Sequence, residues 1–419
     1  MKVKTTVAAA FALISCALFA QQGVTKPQTE SRPTGFRFFN QHLTIKPYVS
    51  LSYTYDSNVD ADRTSSDDSV FAINPAVDFE WRGAKWMLVG NMWYRHRYFC
   101  EYNDEMGEDS FGESLQFRYA SSAQNEKGWS LMLSERYAFI SQSDDLDSRN
   151  GRGIWRDRQT FDVAGVLERR FTERWHMDIQ GQYSWLDYEN NKNNYPLFGW
   201  SQYSAGVQFG YAASKWTDML VAAGYSRFNQ DLSGFDIDTS RHYADTSDSY
   251  SIQGGLGTRA TERISYRALM GASWFDYGNA GSTDCGWTYT LSANWRIHRQ
   301  VQLSLLGSSY YEPSDECVGQ ARKVYNLSGG VSYLTLGDRM KLSGNIAWRF
   351  DETCYSDEVY TSRYNYNRTH VSTRLAADYL LNRWTSIFAQ MIWADESADS
   401  NNRLNYSRLR GILGVRFHY

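Results

Sequence analysis

From His42 onward, apolar and polar residues alternate with a period of two. Leu43, Ile45, Val49, Leu51, Tyr53 and Tyr55 fall on one face, and Thr44, Lys46, Ser50, Ser52 and Thr54 on the other. The pattern then repeats: Phe71, Ile73, Val77, Phe79 and Trp81 alternate with Ala72, Asn74, Asp78 and Glu80, and Trp86, Leu88, Met92, Tyr94 and Tyr98 with Asn91, Arg95 and Arg97. Successive side chains of a strand point to opposite faces, so each segment predicts a strand with one apolar and one wet face. Like segments follow near 110–120, 129–140, 159–170, 174–187, 200–212, 217–228, 249–260, 264–276, 287–296, 301–311, 323–334, 340–350, 367–380, 384–394 and 405–419, about eighteen strands in all, in a range of 16–18.

The connections alternate in length. Arg82-Gly83, 171–173 and 213–216 are tight and 121–128 is intermediate, whereas 99–109, 141–158, 188–199 and 229–248 are long. An even strand count, short turns at one end and long loops at the other predict an all-β fold, a transmembrane antiparallel up-and-down β-barrel with short periplasmic turns and long extracellular loops. About 22 residues per strand and connection leave room for the roughly 9 to 11 that a tilted strand needs to span a bilayer. A soluble sandwich would need two domains and a linker, and no linker is visible.

Composition narrows the picture. Among 419 residues there are 21 Phe, 15 Trp and 30 Tyr, 16% of the chain, yet the mean hydropathy is −0.57. Past residue 20 no apolar run nears the roughly 20 residues of a membrane helix, which excludes a helical bundle but not a barrel. The aromatics cluster at strand ends, where amphipathic rings suit the headgroup region: Trp81 and Trp86, Trp129 and Phe139, Trp175 and Trp185, Trp287 and Trp295, Trp384 and Trp393. A formal charge of −4 gives no sign of a nucleic-acid partner. Residues 1–20 read as an export signal, with Lys2 and Lys4 ahead of an apolar stretch. Leu13-Ile14-Ser15-Cys16 also resembles a lipobox, which leaves Cys16 open as a lipidation site. The domains expected are thus a signal peptide, 1–20, a flexible periplasmic N-terminal tail, 21–40, and the barrel, 41–419. The last strand carries Leu413, Val415, Phe417 and Tyr419 on one face, and this pattern resembles the C-terminal signal read by the outer-membrane barrel assembly machinery.

The first hairpin carries a more particular pattern. Pro47-Tyr48-Val49-Ser50-Leu51-Ser52-Tyr53-Thr54-Tyr55-Asp56-Ser57-Asn58-Val59 is followed by Asp67-Asp68 and then Ile73-Asn74-Pro75-Ala76-Val77. It resembles the Gram-negative family of β-barrel porins that includes barrels accompanying exopolysaccharide gene clusters. The resemblance covers residues 47–77; it implies an outer-membrane barrel and little about substrate. On the residues themselves, Tyr53 and Tyr55 are expected at the outer interface, Asp56 and Asn58 as turn-formers capping the strand, and Pro47 and Pro75, which lack the ladder donor, at a strand start or bulge.

Parity places Arg95, Arg97, Arg118, Arg136, Arg374, Arg408, Arg410 and Arg416, with Lys46, toward the lumen, facing Asp78, Asp162, Glu168, Asp178 and Asp378. The pore-lining candidates are Arg95, Arg97, Arg118, Arg136, Arg374, Arg408, Arg410, Asp162 and Asp178. Such charges either set ion selectivity or pair with one another and fill the interior. The long loops are acidic, with Asp60, Asp62, Asp67, Asp68, Glu101, Asp104, Asp144, Asp351, Glu396 and others, so they either solvate the surface or bind divalent cations; no motif for a metal or cofactor is present. Cys100, Cys285, Cys317 and Cys354 fall in or beside predicted outer loops and are disulfide candidates, Cys317 with Cys285 or Cys354 being the preferred pair because those loops are neighbours. No catalytic constellation is readable, and the chain is not expected to be an enzyme. The expected function is a porin-like channel for passive diffusion of small polar solutes; an accessory barrel of polysaccharide export or surface assembly that binds a glycan, or a structural or adhesive barrel, stands as the alternative. The expected partners are outer-membrane lipid, the assembly machinery and small polar solutes or glycans, with the oligomeric state open.

Overall fold

In a computed structural model of the chain, residues 35–39, 42–58, 67–100, 109–121, 127–140, 157–188, 199–231, 246–258, 263–278, 283–313, 321–354, 367–399 and 405–419 are described. They form β1 (Phe36–Phe38), β2 (Leu43–Asp56), β3 (Asp68–Arg82), β4 (Trp86–Phe99), β5 (Asp109–Ala120), β6 (Gly128–Ile140), β7 (Arg158–Arg170), β8 (Trp175–Tyr188), β9 (Gly199–Ala212) and β10 (Asp218–Asp231). The series continues with β11 (Thr246–Gly257), β12 (Ile264–Asp276), β13 (Thr283–His298), β14 (Val301–Pro313), β15 (Ala321–Thr335), β16 (Met340–Cys354), β17 (Arg368–Asn382), β18 (Thr385–Ala398) and β19 (Tyr406–His418). From β2 to β19 every strand pairs antiparallel with its sequence neighbours, and β19 pairs back onto β2 from Arg410↔Asp56 to His418↔Tyr48. The result is a closed barrel of eighteen strands, with no edge left unpaired along its wall.

β1 lies inside the stretch read as a flexible tail. Phe36, Arg37 and Phe38 pair with Ile45, Thr44 and Leu43, and the Phe36 ring stacks on Tyr419 at 4.7 Å. The C-terminal aromatic at the barrel seam thus helps to hold this short segment against it. Residues 1–34 lie outside the described residues, as do the signal peptide and Cys16.

The tight turns follow from local chemistry. The Thr172 hydroxyl accepts from the Arg174 and Trp175 amides, Ser214 accepts from Trp216 and Thr217, and Asn382 Oδ1 accepts from Trp384 at 2.8 Å. Short polar side chains mimic a backbone turn in this way. In the turn between β15 and β16, Leu336, Gly337 and Asp338 all take the left-handed conformation. Pro47 and Pro75 lie within β2 and β3, not at a strand start or bulge. Pro47 sits where β19 runs out, its carbonyl accepting from Tyr419, and Asn74-Pro75 leaves a gap in the ladder to β4 without shifting its register. A missing donor is tolerated where the neighbouring strand ends or a ladder rung is absent.

One face of every strand is apolar and exposed: Leu51, Ile73, Leu133, Ile179, Val221, Ile252, Leu305, Val331, Ile346, Leu375 and Leu413 form a belt around the wall. Aromatic pairs border it at both ends. Trp81 and Trp86 meet at 5.4 Å, Tyr119 stacks on Trp129 at 4.7 Å and Trp175 meets Tyr211 at 4.8 Å with the rings tilted, all at the tight-turn end; Phe111 and Phe139, Tyr183 and Tyr203, and Tyr225 and Tyr250 pair at the other. An exposed apolar belt this continuous is costly in water and suits hydrocarbon, with the rings at headgroup depth.

Leu413, Val415, Phe417 and Tyr419 lie on this outer face at the seam, where the Tyr419 amide donates to Pro47 O at 3.1 Å and its ring packs on Phe36 and Trp384. Deleting Tyr419 is expected to lower the amount of folded barrel in the outer membrane several-fold, measured by surface labelling and by the mobility shift on heating. Wild-type levels of the truncated chain would show that neither assembly nor seam closure needs the ring.

Candidate functional site

The face opposite the apolar belt encloses the lumen and is hydrophilic. β2 turns Tyr48, Ser50, Ser52, Thr54 and Asp56 inward, β3 Ala72, Asn74 and Ala76, β4 Asn91, Trp93, Arg95 and Arg97, β18 Phe388 and Gln390, and β19 Arg408, Arg410, Ile412 and Arg416. Together they line a recess of about 450 Å³ in the wall on both sides of the β19–β2 seam. Its charged lining is five arginines to one aspartate.

The arginines in the recess are held in several ways. Asp56 accepts from Arg408 Nε at 2.8 Å and from Arg410 Nε at 2.8 Å, and Asp56 and Arg408 are almost wholly buried. This carboxylate was expected to cap a strand; it does accept from the Asn58 amide, but its main role is to clamp two guanidiniums on the closing strand. The clamp continues upward, with Asn58 Nδ2 donating to Ser407 O, the Ser57 amide to Leu409 O and the Leu409 amide to Ser57 Oγ. Arg408 and Arg410 thus share one carboxylate within the wall. Arg95 donates to Asn74 Oδ1 at 3.0 Å and lies over the Trp93 ring, with no carboxylate partner among the described residues. Arg416 lies over the Phe388 and Tyr48 rings and meets Asp378 only at 3.7 Å, both side chains partly exposed. Phe388 can lie across β19 because Gly414 has no Cβ to obstruct its ring. Arg97 is buried, with its guanidinium over Phe99.

The remaining candidates face the same lumen outside the recess. Arg118 donates to Gln116 Oε1, and Arg374 to Gln390 Oε1 at 2.8 Å. Arg136 and Asp162 are register partners on β6 and β7. Asp178 accepts from Gln208 at 3.0 Å and stands opposite Glu168 on the neighbouring strand, while Arg267 reaches from β12 to Gln208. Basic groups therefore dominate from β16 around to β4, and the acidic Asp162, Glu168 and Asp178 collect on β7 and β8.

Sequence reasoning missed the neutral amides that hold the arginines, Asn74, Gln116 and Gln390, although each has inward parity. It also took Asp351 and Glu396 for loop charges. Both are buried in the lumen wall, where they pair with Arg349 and with Arg368 at 3.1 Å. The recess apart, the wall across the lumen carries a buried aromatic group: Phe275 meets Tyr277 at 4.9 Å and Tyr311 at 5.5 Å, and Lys323 Nζ donates to Ser273 at 2.7 Å over the Tyr311 ring. Gly286 gives Tyr311 its room, since a Cβ there would stand 3.0 Å from the phenolic oxygen.

The disulfide expectation fails for two of its four cysteines. Cys100 and Cys285 are exposed free thiols. Cys100 follows β4 and Cys285 lies in β13, so half the barrel separates them, whereas a disulfide needs Cα atoms within about 7 Å. Cys317 and most of the acidic loop residues, among them Asp60, Asp62, Glu101, Asp104 and Asp144, lie outside the described residues.

No family model matches the chain, and no curated protein matches it. Among solved structures, a ferric enterobactin receptor of Pseudomonas aeruginosa aligns with TM-score 0.45 and 6% identity over 90% of this chain and 80% of its own. The outer-membrane channel DcaP of Acinetobacter baumannii aligns with TM-score 0.40 and 9% identity over 92% and 100%, and the outer-membrane protein opdK of Pseudomonas aeruginosa with TM-score 0.41 and 9% identity over 90% and 99%. The barrel's own closure, exposed apolar belt, aromatic borders and polar lumen show the fold without them: the chain is a closed, antiparallel, up-and-down β-barrel of eighteen strands with an apolar outer wall.

Proposed function

We propose that the barrel is a diffusion channel for small polar solutes that favours anions. The observation that carries this reading is the charge of the recess wall, five arginines against one aspartate. Arg95 contributes to this excess and Arg374 adds to it beyond the recess, because amide oxygens orient a guanidinium without cancelling its charge. At 16–18 strands a barrel is wide enough for a water-filled lumen, and a ring or arc of one sign in it lowers the entry cost of the opposite ion. In this reading no residue is catalytic, no cofactor is needed, and the partners are outer-membrane lipid, the assembly machinery and the permeating solute.

Liposome swelling tests the proposal on solutes of equal size. Gluconate is expected to enter faster than glucose, and glucose faster than glucosamine, with rates several-fold apart at low salt and converging at high salt as the field is screened. Equal rates for all three would remove the anion preference, and no swelling with any of them would remove the channel.

A further inference from the structure

The first hairpin's motif was read for its outward tyrosines and its turn residues, but its inward side chains build the floor of the recess. Ser50, on β2, stands in register with Arg416 on β19 and with Asn74 on β3, and Asn74 in turn holds Arg95 on β4. Arg416, Ser50, Asn74 and Arg95 therefore form one row across four adjacent strands. One step along, the row is Gly414, Ser52 and Ala72; the Phe388 ring lies over Gly414, and the short side chains of Ser52 and Ala72 follow it toward β4. Three strand spacings of roughly 4.8 Å put the β19 and β4 backbones about 14 Å apart. Two guanidiniums thus flank a shallow trough from opposite sides, each braced on aromatic rings: Arg95 at 5.8 Å over Trp93, and Arg416 at 5.3 Å over Phe388 and 5.7 Å over Tyr48.

We propose that this trough is a binding subsite for a small organic dianion with an anionic group at each end, gripped by Arg95 at one end and Arg416 at the other. Several features favour that chemistry over a single anion. A guanidinium presents a planar fork that suits a carboxylate, and ring contact limits its orientations before the ligand arrives. Among the described residues neither arginine is tied to a close carboxylate: Arg95 gives one bond to an amide, and the Arg416–Asp378 contact is long and partly exposed. Hydroxyls of Ser50 and Ser52 and the Asn74 amide, which donates to Ser50 at 3.2 Å, offer further polar contacts along the floor. A monoanion engages one guanidinium, whereas a dianion engages both and the second contact is intramolecular.

The inference rests on the anion-favouring reading of the lumen but can fail separately from it. Isothermal titration of the refolded full chain with glutarate and with butyrate, at low salt and neutral pH, compares two and one carboxylates on similar carbon chains. Glutarate is expected to bind at least tenfold more tightly than butyrate. Arg95→Gln and Arg416→Gln should each reduce that ratio to near one, while Lys215→Gln, a charge loss at a tight turn, should leave it intact. Each variant is first checked for the wild-type mobility shift on heating, and a variant that misfolds is replaced by Arg95→Lys or Arg416→Lys, which should lower the ratio by loss of the fork alone. Equal affinity for the two ligands, or a ratio that survives both substitutions, overturns the subsite even where the barrel conducts anions. A barrel that binds glutarate through these arginines but passes no current keeps the subsite and loses the channel.

Discussion

Replacing Arg95, Arg374 and Arg416 together by glutamine is expected to abolish the anion preference, bringing the chloride-to-potassium permeability ratio from well above one to near or below it. Among the described residues Arg95 and Arg374 meet no carboxylate and Arg416 meets Asp378 at a long distance, so their fields reach the lumen with little internal compensation. Glutamine preserves a polar side chain of moderate length, and at partly exposed positions the barrel should fold as before. In a narrow low-dielectric wall an uncompensated charge influences a passing ion by several kT, so the loss of three such charges is large. Reversal potentials under a salt gradient measure it. An unchanged ratio in a folded triple variant would mean that the path of the ion avoids the β16–β4 side of the lumen.

Substituting Asp56 by alanine should be the most destabilising single change at the seam. Asp56 and Arg408 are both nearly inaccessible, and the aspartate serves Arg410 as well. Its removal takes the shared carboxylate away from one buried and one half-buried guanidinium at the place where the last strand closes on the first strand of the barrel. Breaking a buried pair from one side costs about 3–5 kcal/mol. Urea unfolding in lipid vesicles, followed by tryptophan fluorescence, should show a markedly lower midpoint and earlier loss of the β19–β2 pairing. Wild-type stability would show that backbone pairing alone secures the seam. Asp56→Asn, which keeps an acceptor for one arginine, is expected to fall between the two.

The fold was legible because its signals are local and repeat. The two-residue alternation located all eighteen barrel strands, and within β2 the apolar parity from Leu43 to Tyr55 is the outer face that the structure shows. The turns were legible for the same reason, since Thr172, Ser214 and Asn382 act on amides two or three residues away. β1 escaped because three residues, Phe36–Phe38, carry too little period, and their partner Tyr419 lies at the opposite end of the chain. Parity gave the nine luminal candidates a common face but could not tell which of them would be compensated. Arg408 and Arg410 meet Asp56 some 350 positions away in sequence, a contact that exists only after the barrel closes. Asp351 and Glu396 read as loop acids because they lie near the ends of their strands in sequence; in the wall Asp351 pairs with Arg349 two residues before it on β16, and the pairing of β17 with β18 brings Glu396 beside Arg368. The distinction between a structural arginine and one that addresses solute is thus made by long-range pairing, which a local pattern does not encode.

Single-channel recording of the refolded chain in a planar bilayer, with roughly tenfold different KCl on the two sides, addresses the lumen most directly. The arginine-rich wall predicts stable nanosiemens-scale steps whose reversal potential has the sign of chloride preference and shrinks as the salt is raised. A correctly inserted barrel that gives no steps, or steps with cation preference, would contradict it.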